Sequence, residues 1–126
     1  MRKVLIFLSV ALALSASVRS AEDELSTDLM QSIEDSNKSL SSNIALNNKQ
    51  AATADAKELT QMFAEVETFF EHKGGADNAV DLAKQSKALS ADIISDVAAN
   101  NFDAATAAAT TLSRTCRTCH TFYKKE

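Results

Sequence analysis

No proline occurs anywhere in the 126 residues, and the only two glycines stand side by side as Gly74-Gly75. Those are the two residue types that most strongly interrupt helices. With alanine abundant as well, nothing after the first twenty residues reads as strand. The pattern predicts helices over about Asp23–Leu46, Lys49–Lys73, Ala76–Ala99 and Phe102–Lys125. Gly74-Gly75 can take the left-handed conformation that ends the second helix, while Asn47-Asn48 and Asn100-Asn101 supply the other breaks. Helices of similar length joined by short loops run antiparallel to their neighbours. The expected fold is all-α, an up-down-up-down antiparallel four-helix bundle.

The fourth helix has the most regular apolar stripe. Phe102, Ala105, Ala109, Leu112, Cys116, Cys119 and Tyr123 alternate steps of three and four, the spacing of a bundle seam. The first helix carries a similar seam through Met30, Ile33, Asn37, Leu40 and Ile44. The second carries Leu59, Met62, Phe63, Val66, Phe69 and Phe70. All three faces are expected to point inward.

The fourth-helix seam also holds the chain's only cysteines, in the run Cys116-Arg117-Thr118-Cys119-His120. Cys-x-x-Cys-His is a c-type haem attachment sequence. Thiols three apart on a helix project from neighbouring turns, so both can add across the vinyl groups of one porphyrin while His120 offers an imidazole to the iron. Two other readings use the same thiols. Tetrahedral zinc wants four ligands, and beyond His120 the chain offers only His72 and carboxylates. A redox dithiol is the stronger rival, but such motifs usually accompany a strand-helix-strand pattern that this sequence lacks.

The first twenty residues read as a signal peptide. Arg2 and Lys3 give a charged start, Val4 to Leu14 an apolar stretch, and Val18-Arg19-Ser20-Ala21 a small-residue cleavage site after Ser20 or Ala21. The stretch is short for a membrane span and implies export. Thioether-linked haem and export both belong to the bacterial periplasm, leaving residues 21–126 as one domain. Removing residues 1–20 takes away Arg2, Lys3 and Arg19 and no acid, so 10 Lys+Arg face 17 Asp+Glu and the net charge falls to −7. Such a balance argues against nucleic acid and anionic membranes, and favours docking on basic patches of redox partner proteins.

Antiparallel packing brings the start of the first helix beside the end of the fourth. Met30 and His120 are then expected at nearly the same height, where a thioether and an imidazole can face each other across one iron. A methionine on a seam is also ordinary core filler. At that level Val66, Phe69 and Phe70 of the second helix and Ala79, Leu82 and Ala83 of the third are expected as walls. Met62 lies about four residues deeper and is expected in the core. His72, beside Lys73, is expected as an exposed cation at a helix C-terminus, a role Lys124 and Lys125 share. Glu22 to Glu24 read as a solvated helix start. No Ser/His/Asp arrangement, phosphate loop or catalytic carboxylate pair emerges, so the chain is not read as an enzyme.

With bundle and motif together, the chain resembles the class II c-type cytochromes, the cytochrome c prime family and its low-spin relatives. The segment Cys116-Arg117-Thr118-Cys119-His120-Thr121-Phe122-Tyr123-Lys124 is similar to that family's C-terminal Cys-x-x-Cys-His-x-x-Tyr-Arg/Lys. Asn101-Phe102-Asp103 looks like the family's Asp-Leu-Asp, and Leu29-Met30-Gln31 resembles the first-helix stretch that supplies the distal residue. Two features depart from the pattern: the loops are short, and Ser26 stands where a basic residue often precedes the distal position. The resemblance implies one covalently attached haem c and, with methionine at the distal position, a six-coordinate single-electron carrier that is a monomer or homodimer. With Leu29 or a displaced Met30 over the iron, it implies instead a five-coordinate binder of nitric oxide or carbon monoxide. A haem-free thiol-disulfide protein is the alternative from another class.

Overall fold

The computed structural model describes residues 25–123 and consists of four helices: α1 (Thr27–Ala45), α2 (Lys49–Lys73), α3 (Asp77–Ala98) and α4 (Phe102–Tyr123). Each helix packs on its neighbours in the order α1, α2, α3, α4 and back to α1, which is the expected antiparallel bundle. The proposed signal segment, Glu22 to Glu24, Lys124 and Lys125 lie outside the described residues.

The helix ends follow from local chemistry. Three-residue connections join successive helices, each built around backbone that turns left-handed or caps the next element. Asn47 has φ 53°, and the Asn48 side chain accepts from the Ala51 N–H to cap α2. Gly74 (φ 69°) and Gly75 (φ 67°) end α2, where a side chain would be strained. Asn100 (φ 56°) and Asn101 repeat the device, with the Asn101 side-chain oxygen accepting from the Ala104 N–H. The first helix starts later than the sequence pattern suggests, at Thr27 rather than near Asp23. Ser26 stops it by leaving helical geometry and accepting from the Leu29 N–H.

Each helix lends at least one large, fully buried side chain to the core: Leu40, Leu59, Ile93 and Leu112. Burial of that kind contributes about 1.5–3 kcal/mol per side chain. Ala52, Ala56, Ala79, Ala83, Ala105 and Ala109 are buried too, and their small volume lets α2, α3 and α4 approach closely. The α1–α2 contact is more polar. Ser36 Oγ donates to Glu58 at 3.0 Å, and Asp55 accepts from Ser39 Oγ (2.9 Å) and Asn43 Nδ2 (2.7 Å). The α1–α4 interface is the least extensive of the four.

Two seam assignments need correction. The buried stripe of α4 includes Thr115, whose hydroxyl is satisfied by the Thr111 carbonyl one turn back, whereas Cys116 and Cys119 are half-buried and Tyr123 is exposed. Phe69 is also only half-buried, because its ring turns toward the helix surface and lies beneath the Lys73 ammonium. Met62, by contrast, is 7% exposed and belongs to the core.

Candidate haem site

Cys116 and Cys119 sit one turn apart on α4, at the margin of its buried face, and Cys116 packs against the core. His120 follows in the last turn and is exposed. Met30 lies in the first turn of α1, half-buried against the same core, with its N–H bonded to the Ser26 carbonyl. His72 is exposed in the last turn of α2, which ends at the same end of the bundle.

The register between α1 and α4 is set by one cross-helix hydrogen bond, Asn37 Nδ2 to Ser113 Oγ at 3.3 Å. Met30 lies seven residues before Asn37 and His120 seven after Ser113. A seven-residue step returns to the same face of a helix about 10 Å along its axis. The antiparallel pair Met30 and His120 therefore repeats the Asn37 and Ser113 pair one step nearer the end of the bundle. Both residues stand three positions inside their helix ends. Counted from that bond, positions 30 and 120 fall at one level of the α1–α4 pair.

The walls at this level differ from expectation. The Ser36–Glu58 and Ser39–Asp55 bonds agree on the α1–α2 register and put Met30 level with Ala64, between the buried Phe63 and Val66. Phe69 and Phe70 lie further toward the helix end, where the Phe70 ring meets Tyr123 at 5.3 Å across the diagonal. On α3, the Lys87–Glu67 and Lys84–Glu71 pairs put Ser86 and Ser90 nearer the site than Ala79 and Leu82. Both serine hydroxyls donate to their own helix, so that wall offers no free polar group. The sequence pattern missed them because buried serine looks like a surface residue until its back-bond is seen.

The donor set suits haem c. It comprises two thiols one turn apart on α4, an imidazole on the next residue, and a thioether in the first turn of α1 at the same end of the bundle. None of these four is fully buried, whereas Ile33, Leu112 and Thr115 immediately below are. The seam floor also holds an unmatched acceptor: Asn37 Oδ1 is buried without a hydrogen-bond donor among the described residues. A buried acceptor left so costs about 1–3 kcal/mol. No three His, Cys, Asp or Glu side chains converge among the described residues.

Burial pushes the Cys116 thiol up, reinforced by the neighbouring Cys119, and burial alone raises Cys119. That is the reverse of a nucleophilic dithiol, which depends on a lowered thiol pKa. Because the folded thiols ionise later than unfolded ones, their contribution to stability is intact below about pH 8.5 and is lost as pH rises through the raised folded values. In the haem-free, reduced chain, alkylation by iodoacetamide at pH 8 is expected to run severalfold slower than in the urea-unfolded chain. The wild type should also lose more stability between pH 7 and pH 10 than the Cys116→Ser/Cys119→Ser variant. Equal rates and equal losses would show that the thiols feel no burial.

No family model, curated protein or solved structure matches this chain. Among the described residues, no helix is long and apolar enough to cross a membrane.

Proposed function

We propose that the chain is a periplasmic c-type cytochrome that carries one covalently attached haem and relays single electrons between redox partner proteins. Cys116 and Cys119 form the thioether links, His120 is the proximal ligand and Met30 the distal one. The observation that carries this reading is the Asn37–Ser113 bond, which registers Met30 with His120 beside the two thiols. When bound, haem supplies an iron that cycles between ferrous and ferric states.

The residues of the chain do the rest. The Met30 thioether and His120 imidazole, carried on two helices, would hold the group from two sides, and thioether ligation would raise its reduction potential. Phe63 and Val66 exclude water from the inner wall. The raised thiol pKa values weigh against the dithiol reading, and the position of Met30 on the seam weighs against a gas-binding site with an open distal face.

Replacing each histidine in turn tests the ligand assignment. His120→Ala is expected to abolish the native Soret and visible bands, or to shift them to those of a high-spin form, when the chain is expressed with haem-attachment machinery. His72→Ala should leave the spectrum unchanged, since His72 is exposed at the end of α2. The opposite pattern would reassign the proximal ligand.

A further inference from the structure

The described chain is acidic everywhere except along one strip. From Leu25 to Asp103 there are 13 Asp+Glu against 6 Lys, but from Ala104 to Tyr123 there is no acid at all, only Arg114, Arg117 and His120. All three are exposed. Successive three-residue steps turn by about 60° around a helix. The strip therefore curves from the outward face of α4 toward the flank where His120 stands level with Met30. Thr118 and Thr121, one turn after the two arginines, turn their hydroxyls onto the Arg114 and Arg117 carbonyls and add no charge.

Neither arginine has an ion-pair or hydrogen-bond partner for its guanidinium among the described residues. Nearby acids on α1 are turned to their own helix: Glu34 pairs with Lys38 at 2.7 Å, and Asp35 accepts from Gln31 at 3.1 Å. Helix-end stabilisation does not explain the strip, because the dipole effect fades within the last turn and Arg114 lies nine residues before Tyr123.

We infer that this strip of α4 is the docking surface for a protein partner with an acidic face, brought up against Arg114 and Arg117. Net charge alone favours a basic partner. Charge distribution overrides it locally, since an acidic face is repelled by α1, α2 and α3 and attracted only at α4, which orients the encounter. Arginine suits the task, as its planar fork pairs with carboxylates in two parallel hydrogen bonds. The inference deepens the electron-carrier reading and rests on it for where the electron leaves, because the strip ends at the proposed iron ligand.

The test uses the holoprotein on a gold surface coated with poly-L-glutamate, recording bound mass and electron-exchange current. At low ionic strength the wild type is expected to bind and exchange. Arg114→Glu/Arg117→Glu should bind at least tenfold more weakly, while Lys57→Glu/Lys84→Glu, the same charge change on α2 and α3, should change binding less than twofold. Binding should also weaken steeply with salt. Equal loss in both variants, or none in the arginine variant, overturns the docking surface. Tighter binding to phosphatidylglycerol vesicles than to poly-L-glutamate overturns it in favour of a lipid surface. Arginine-dependent binding without current leaves the docking surface standing and refutes the electron-carrier reading; current that is indifferent to the arginines does the reverse.

Discussion

Cys116→Ser/Cys119→Ser is expected to convert the pigment from one that stays with the polypeptide in acidified organic solvent to one that is wholly extracted. The thiols stand on consecutive turns of α4 and no other cysteine exists in the chain, so no second route to a thioether remains. Each single variant should keep one link, and its haemochrome spectrum should shift to that of a haem with one vinyl group unreacted. The fold should survive, because both thiols are half-buried and serine at such positions leaves no large void. Acid-stable colour in the double variant would refute covalent attachment through this motif.

Met30→Ala should change the chemistry more than the stability. A buried methionine truncated to alanine costs about 2–5 kcal/mol, but Met30 is half-buried in the first turn of α1 and alanine is the better helix former, so about 1–2 kcal/mol is expected. The spectrum, in contrast, should pass from low-spin to high-spin, and carbon monoxide should bind readily where the wild type resists it. A methionine serving only as packing predicts the same small stability loss with no spectral change. A wild type that is already high-spin and gas-binding would transfer the function to the five-coordinate reading, with Leu29 or Met30 merely lining the distal side.

The helical character, the four-helix count and the antiparallel order were legible because they depend on features local in sequence: missing proline, one glycine pair and two asparagine pairs at the breaks. Leu40, Leu59, Ala105, Ala109 and Leu112 followed from period alone, whereas the buried Ala52 and Ala56 lie before the stripe expected on the second helix. The margin of the core did not. Cys116 and Thr115 are adjacent, and their relative burial is decided by the tilt of α4 against α1 and α3, which no single-helix pattern encodes. The α2 wall was placed too near the bundle end for a related reason: α2 runs Lys49–Lys73 while α1 runs only Thr27–Ala45, so equal heights cannot be counted from equal ends. Polar pairs such as Ser36–Glu58 fix that offset, and their partners are 22 residues apart in sequence. The expectation that Met30 and His120 stand at one level is less exposed to that error, because both are counted from helix ends that do meet.

The uneven closure of the ring of helices has a kinetic meaning. α2, α3 and α4 are joined by close alanine contacts between sequence neighbours, whereas α1 closes against α4 through few contacts and one 3.3 Å side-chain hydrogen bond. Contacts between consecutive helices form early, since little chain entropy is spent in closing short loops. The α1–α4 seam joins the two ends of the chain and is the first place the native bundle comes apart. In hydrogen-exchange terms, amides at the start of α1 belong to the least protected cooperative unit. The thiols of α4 are thus reachable through a partial opening that leaves three helices assembled, and covalent modification of a folded domain need not wait for its global unfolding.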